Sequence, residues 1–363
     1  MTKELVADYI KRLIPYVPGK PIEDLERELG IKDSIKIASN ENPLGPSPKA
    51  LEAIQKTLNN LNRYPDGNAT TFKNKLAEKL GVSTDMIITG NGSNEVLELL
   101  AATFMKPGDH AVVSEHAFVV YDLAVDSRGF EKTVVPAGKN FSHDLKGMAG
   151  AVKDNTKLLF IANPNNPTGT YSNRQEMDEL LESIPAEVIV VVDEAYFEYV
   201  EKDDYPDAVE MVKQGANVVA CRTFSKLYGL AGIRMGYGIM KPEMADYMNR
   251  VRQPFNTNMP AQAAAEAALD DTDFLNKVLD INRKGMAYLE KELQRLDIEY
   301  IPSVANFLIF KSPQDPEELY QKLLRKGVIV RPMKGYKLPD YLRVTVGLEE
   351  ENQRFIQSLE ELL

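Results

Sequence analysis

The chain has 363 residues, 44% hydrophobic and 27% charged, with a formal net charge of −11. That length exceeds the usual size of one core and predicts two units, while the acidic balance argues against nucleic acid as a partner, because phosphate neutralisation needs a concentrated basic surface. No stretch approaches the roughly 18 consecutive apolar residues of a membrane span, and the opening MTKELVADYIKRL lacks the apolar region of a secretory signal, so no membrane partner and a cytoplasmic address are expected.

The single cysteine, Cys221, excludes an internal disulfide framework and is expected to be a buried small apolar residue. Three histidines, none in a metal-binding spacing, leave any chemistry to lysine, carboxylates and hydroxyls, and no metal is expected.

In chain order, short runs rich in Val and Ile recur at 86–89, 110–114, 132–136, 157–162, 187–193 and 217–221. Continuous apolar character without alternation predicts strands covered on both faces, in a mostly parallel sheet flanked by helices. Between them, 93–105 sets Val96, Leu97, Leu100, Ala101 and Phe104 on one helical face, and 173–184 is similar. The alternation predicts an α/β unit over 36–250, with ligands where strand C-termini enter loops. From 251 the texture becomes helix-rich, then gives strands at 306–310, 328–333 and 341–347 around a helix at 316–327. Residues 1–35 and 251–363 are therefore expected to form a smaller α+β unit, with Pro18–Pro21 and 42–48 as the crossing points.

Four segments can carry chemistry. In ITGNGSNEVLELL a strand enters a Gly-rich turn that opens a helix, and the free N–H groups there make an anion site with Ser93 and Asn94 as caps or ligands. Glu95 replaces the last glycine of a dinucleotide fingerprint, and an ordinary capped helix is the plain alternative. ANPNNPTGTYSN makes a rigid, sharply turned loop that is either only a turn or a mount from which Asn166 bonds a cofactor oxygen. Asp193 follows five apolar residues, so its charge needs a partner: it either caps the next helix or pairs with a protonated ring nitrogen.

In RTFSKLYGLAGIR, Lys226 is either a solvated surface charge or an imine-forming lysine, with Thr223, Ser225 and Arg234 around a phosphate. Asn166, Asp193 and Lys226 each stand at the end of an expected strand, and such ends can converge on one crevice.

Taken in order, PYVPGK, SNENPLGPSP, RYPD, NGSNE, NPNNPTG, DEAYFEY, RTFSKLYGLAGIRMGYGI, ANFLIF and LRVTVG run nearly end to end. With them the chain resembles the fold-type I pyridoxal phosphate aminotransferases, and within them the histidinol-phosphate branch. The resemblance implies that Lys226 carries the cofactor, that Asp193 pairs with its pyridinium nitrogen, and that Asn166 and Tyr196 bond its phenolic oxygen. It places Ser93, Asn94, Thr223, Ser225 and Arg234 around the phosphate. Phe118 would stack on the ring where relatives often carry tyrosine, and Asn94 stands where many carry aspartate. Tyr64 is similar to the tyrosine lent to the partner's site in a homodimer. Arg343 is expected to grip the α-carboxylate, with Tyr16, Asn40 and Arg331 completing the substrate pocket.

The implied reaction converts L-histidinol phosphate and 2-oxoglutarate to imidazole acetol phosphate and L-glutamate, a step of histidine biosynthesis, with ping-pong kinetics. An aromatic amino acid aminotransferase, possible as a second activity, and a phosphothreonine decarboxylase-like enzyme are the rivals on the same fold. A noncatalytic binding protein on that fold and a nucleotide-binding oxidoreductase are rivals of other classes.

Overall fold

The apolar runs become strands of one sheet in a computed structural model that describes residues 5–16 and 18–363. Residues 1–4 and 17, assigned above to the small unit, lie outside the described residues. After a short strand β1 (Ile35–Lys36) come β2 (Ile87–Gly90), β3 (His110–Ser114), β4 (Glu131–Val135), β5 (Thr156–Ala162), β6 (Ile189–Asp193), β7 (Val218–Thr223) and β8 (Gly236–Ile239). The last seven form a sheet in the order β2-β8-β7-β6-β5-β3-β4. Neighbours are parallel except β8, which runs antiparallel to both β2 and β7.

The continuous apolar runs have a simple cause. Val190 and Val192 face one core with Leu159 and Ile161, while Ile189 and Val191 face the other with Leu158 and Phe160. Both sheet faces are covered, so neither residue parity can be polar.

Sequence patterning did not reveal β8, because GYGI offers two glycines where a strand signal needs side chains. Close approach demands them. A Cβ on Gly236 would lie 2.3 Å from the Ser93 amide nitrogen, and one on Gly238 would lie 2.8 Å from Val96.

The second sheet contains β9 (Tyr300–Ile301), β10 (Phe307–Lys311), β12 (Arg331–Pro332) and β13 (Tyr341–Thr345) in the antiparallel order β12-β13-β10-β9. Strand β11 (Val328–Ile329) pairs in parallel with β1, which ties the N-terminal region to this end of the chain. Within β12-β13, Arg331 stands directly opposite Arg343.

We propose the division into a large unit and a small unit built from both ends. In its support, the 24-residue helix Thr272–Arg295 packs Leu275 and Val278 into a core of the large sheet, and Met286, Leu289 and Leu293 into that of the small one. The helix Met259–Ala268 also packs on the large-sheet side, although texture puts the boundary at 250. Its Ala261, Ala264, Ala265 and Ala268 allow close contact with the helix Pro48–Thr57, and small residues carry no periodic signal of which core they join.

One buried ion network clamps the site-bearing strand ends. Arg222, on β7, donates to Glu194 at 2.9 Å and to Asp207 at 2.7 Å, and its guanidinium lies 3.5 Å from the Phe197 ring centroid. Burial lifts the Glu194 carboxyl to about 7 against the pull of Arg222. Removing one member of such a pair strands the other charge in a dry interior. Arg222→Met should therefore lower unfolding free energy by about 3–5 kcal/mol in denaturant titration, and adding Glu194→Gln should restore part of the loss. Equal stability of the single variant and wild type would contradict the assignment.

Candidate active site

The C-terminal ends of β5, β6 and β7 lie side by side, with Ala162 opposite Asp193 and Asp193 opposite Cys221. Cys221 is fully buried. The loops leaving these ends bring Asn166, Asp193 and Lys226 to one cavity of about 250 Å³. Sequence spacing located all three, and their convergence follows from parallel neighbours ending on the same sheet edge.

Lys226 is buried at the cavity wall. Its Nζ donates to the Ser39 carbonyl at 3.4 Å and lies 5.5 Å from the centroid of the Tyr196 ring. Burial lowers its ammonium to about 8, helped by the cations of Arg343 and Arg234 and opposed by Glu41 and Asp193. This is the neutral-amine bias a nucleophilic lysine needs.

Asp193, 5% exposed, is raised to about 6 by burial, against the hydrogen bonds of Tyr121 and Ala195 and the charge of Lys226. The Tyr121 hydroxyl donates to Oδ2 at 2.7 Å and the Ala195 N–H to Oδ1 at 3.2 Å. Neither donor is a cation. The alternative reading of Asp193 as a simple helix cap is not what this geometry gives, since a buried phenol holds the carboxylate.

Another part of the cavity lining has the chemistry to take an anion. Helix Ser93–Phe104 begins at Gly92 without a side-chain cap, and Ser93 and Asn94 line the cavity at its first turn. Gly92 has φ +78°, and a Cβ there would meet the Arg234 guanidinium at 2.2 Å, so glycine lets that cation lie against the turn. Arg234 donates to Ser225 Oγ at 3.2 Å, and Thr223 Oγ1 donates to the same oxygen at 3.0 Å. Two hydroxyls, a guanidinium and a helix N-terminus therefore line the same cavity.

Asn166 lies in a loop with cis Asn163–Pro164 and Asn166–Pro167 bonds, held by bonds such as Ser172 N–H to Asn163 Oδ1 at 2.9 Å. Its own Oδ1 accepts from Arg343 at 2.5 Å. Arg343 also donates to the Ala38 carbonyl at 2.7 Å, and its buried Nε has no partner among the described residues. Tyr196 Oη accepts from Asn40 Nδ2 at 2.8 Å, and burial lifts this phenol to about 12.

Asn40, expected at the substrate, is engaged by the protein at both ends of its amide. Thr345 donates to Oδ1 at 2.9 Å, and the residue adopts φ +56°. It still lines the cavity and couples Tyr196 to the small sheet.

Phe118 lines the cavity next to Tyr121, edge to face at 6.3 Å between centroids. Tyr16 and Arg331 meet at the cavity mouth with a bond of 3.5 Å, and the guanidinium lies 5.7 Å from the Tyr16 ring centroid. Tyr64 stands apart: it is 81% exposed and stacks on Phe255 at 4.7 Å, outside this chain's own cavity.

Sequence reasoning missed Tyr121, whose only signal is its place three residues after Phe118, one helical turn away on the same face. Nothing local singles out Thr345 and Asn306, which hold Asn40, within the stretches LRVTVG and ANFLIF. Among the described residues, no helix is long and apolar enough to cross a membrane, and no group of His, Cys, Asp or Glu is placed to hold a metal ion.

A strand-end lysine facing a buried carboxylate, beside a helix-terminal anion cradle and an arginine pair, defines a class of enzyme that works on amines through a phosphorylated cofactor. The chain belongs to the family of class I and II aminotransferases, whose model matches residues 32–359. It is 50% identical over 356 residues to histidinol-phosphate aminotransferase 2 of Pseudomonas fluorescens, covering 98% of this chain and 96% of that protein. It is 49% identical over 360 residues to histidinol-phosphate aminotransferase 1 of Nitrosococcus oceani, covering 99% and 97%. The solved histidinol-phosphate aminotransferase of Sinorhizobium meliloti, in complex with pyridoxal-5′-phosphate, superposes with a TM-score of 0.88 at 27% identity, covering 99% of this chain and 98% of that one.

Proposed function

We propose that this protein is a pyridoxal phosphate-dependent aminotransferase that passes the amino group of L-histidinol phosphate to 2-oxoglutarate, in histidine biosynthesis. The near full-length identity to curated histidinol-phosphate aminotransferases supports the reading. One structural observation favours a phosphorylated donor: β12-β13 pairing sets Arg331 opposite Arg343 at a single cavity. Two guanidiniums can serve two anions, a carboxylate and a phosphate, and planar guanidinium geometry suits both.

The residues fit the cofactor on three counts. Asp193 is a buried carboxylate whose hydrogen-bond donors are neutral, which leaves its charge for a pyridinium. Lys226 is a buried amine biased toward its neutral form. The uncapped helix start with Ser225 and Arg234 is a phosphate cradle. When bound, pyridoxal phosphate supplies an aldehyde that condenses with amines and a protonated ring that draws electrons away from the substrate Cα.

The chain's own residues do the rest. Ser93, Asn94, Thr223, Ser225 and Arg234 would hold the phosphate, Phe118 would pack on the ring, and Asp193 would hold the proton on the ring nitrogen. Tyr196, whose oxygen already accepts from Asn40, turns its own proton toward the ring's oxygen beside Asn166. Arg343 has a spare Nε for the substrate carboxylate, while Tyr16 and Arg331 take the donor's phosphate at the mouth. Lys226 Nζ, freed once the substrate amine takes its place, would take the proton from the substrate Cα and deliver it to the carbon that had been the cofactor's aldehyde. The exposed Tyr64 would reach the partner's phosphate in a homodimer, and the address remains cytoplasmic.

The test is the steady-state pattern with L-histidinol phosphate and 2-oxoglutarate. Glutamate formation with parallel double-reciprocal lines is expected; intersecting lines, or a higher kcat/KM for tyrosine or phenylalanine as donor, would count against the scheme. A second expectation follows from the lowered Lys226 ammonium. Capture of pyridoxal phosphate by cofactor-free protein needs the neutral amine, so its rate should climb nearly tenfold per pH unit from about pH 6.5 and level off above about pH 8. A flat stopped-flow profile over that range would contradict the assigned nucleophile.

A further inference from the structure

Tyr121 belongs to none of the groups assigned above, yet it is buried against the site. It is 1% exposed and stacks on Phe160 at 5.4 Å with an interplanar angle of 15°, with Phe118 edge-on at its other side. These ring contacts hold the ring with its hydroxyl aimed at Asp193 Oδ2, 2.7 Å away. The Ala195 N–H holds the other oxygen. Two donors on two oxygens fix the plane of the carboxylate and leave one face of it for the cavity, which both side chains line.

We propose that Tyr121 is a positioning residue acting through Asp193, its hydroxyl fixing that carboxylate and holding it as the anion that a pyridinium nitrogen requires. The inference rests on the reading of the cavity as a pyridoxal phosphate site.

Four ionisable side chains face Asp193, and its partner strand β5 offers only Ala162 there. Tyr121 comes from the helix Val119–Asp126, Cys221 from β7, Tyr196 from the turn after β6, and Lys226 from the loop after β7. Burial pushes Tyr121 and Cys221 well up and Tyr196 to about 12, so these three stay neutral across the working range. Asp193, raised to about 6, and Lys226, lowered to about 8, are the two that change charge there. Only the first is touched by Tyr121.

A hydrogen bond to the ionised form lowers an acid's pKa, so Tyr121→Phe should raise that of Asp193 by about one unit. In the holoprotein the carboxylate must be an anion beside the pyridinium. In the cofactor-free protein it is neutral below about 6 and ionised above. Below about pH 6 the hydroxyl therefore assists only the bound state, and its loss should weaken pyridoxal phosphate binding about tenfold near pH 5. Near pH 8 it assists bound and free protein alike, and the two dissociation constants should converge. Stability of the cofactor-free chain moves the other way: the variant should lose more melting temperature near pH 8, where the carboxylate is charged, than near pH 5.

The experiment measures pyridoxal phosphate dissociation constants and cofactor-free melting curves between about pH 5 and pH 8, for wild type, Tyr121→Phe, Asp193→Asn and the double variant. The expected result is a binding ratio that falls with rising pH, a melting difference that grows with it, and both trends abolished in the Asp193→Asn background. A penalty of Tyr121→Phe that is the same at every pH, or that persists in the Asp193→Asn background, marks Tyr121 as packing alone and overturns the proposal. A wild type that does not bind pyridoxal phosphate overturns the cofactor reading instead. If Tyr121→Phe proves too unstable to load, the pH trend of its melting curve still decides between the two.

Discussion

Replacing Lys226 with alanine is expected to lower kcat by more than about 10⁴-fold while the protein still retains pyridoxal phosphate, held without a covalent bond. The effect is large because one atom carries two duties. In the proposed reaction Nζ would be the amine that the substrate displaces, and then the base that moves the Cα proton. Burial and the charges of Arg343 and Arg234 equip it for both by lowering its ammonium to about 8. Retention is expected because the cradle of Ser225, Arg234 and the helix start at Ser93 does not involve Lys226. Steady-state rates and the loss of the lysine-dependent visible band check it; turnover near the wild-type rate would remove Lys226 from the chemistry.

Asp193→Asn is expected to cost about 10²–10³-fold in kcat with a smaller effect on KM, since it would remove the charge proposed to pair with the ring nitrogen and leave the side chain's shape. The same change should alter stability in a pH-dependent way. Burial raises Asp193 to about 6 in the fold, above the roughly 3.9 of an unfolded chain. The folded state thus holds the proton more tightly, and ionising this group costs stability progressively as pH rises from about 4 to about 6. Cofactor-free Asp193→Asn should therefore gain in melting temperature relative to wild type across that window. A constant difference would mean that the carboxylate is not strained by burial.

Much of the site is legible in the sequence because parallel strands converge. Once EVIVVVD, KLLFIA and NVVAC read as buried neighbours, the residues that follow them must share an edge, and Asn166, Asp193 and Lys226 do. Lys226 and Asp193 gain their properties from burial, which the apolar runs already announce. What resisted reading depends on tertiary placement. Tyr121 looks like one more core aromatic until Phe160 and Asp193 are seen on either side of it. The bond from Arg343 to Asn166 joins residues 177 positions apart, and that from Asn40 to Tyr196 joins residues 156 apart. No local pattern encodes either. Strand β8 stayed hidden for a different reason, since the glycines that allow it to lie against Ser93 erase the side-chain signal.

The central claim, that Lys226 and its neighbours run two half-reactions on one cofactor with histidinol phosphate as donor, meets its most direct test in the visible absorption spectrum of the purified protein. The band of the lysine-bound cofactor should vanish when L-histidinol phosphate is added and return when 2-oxoglutarate follows. A band that ignores L-histidinol phosphate but responds to tyrosine or phenylalanine would contradict the substrate, and reconstituted protein without any such band would contradict the role of Lys226 itself.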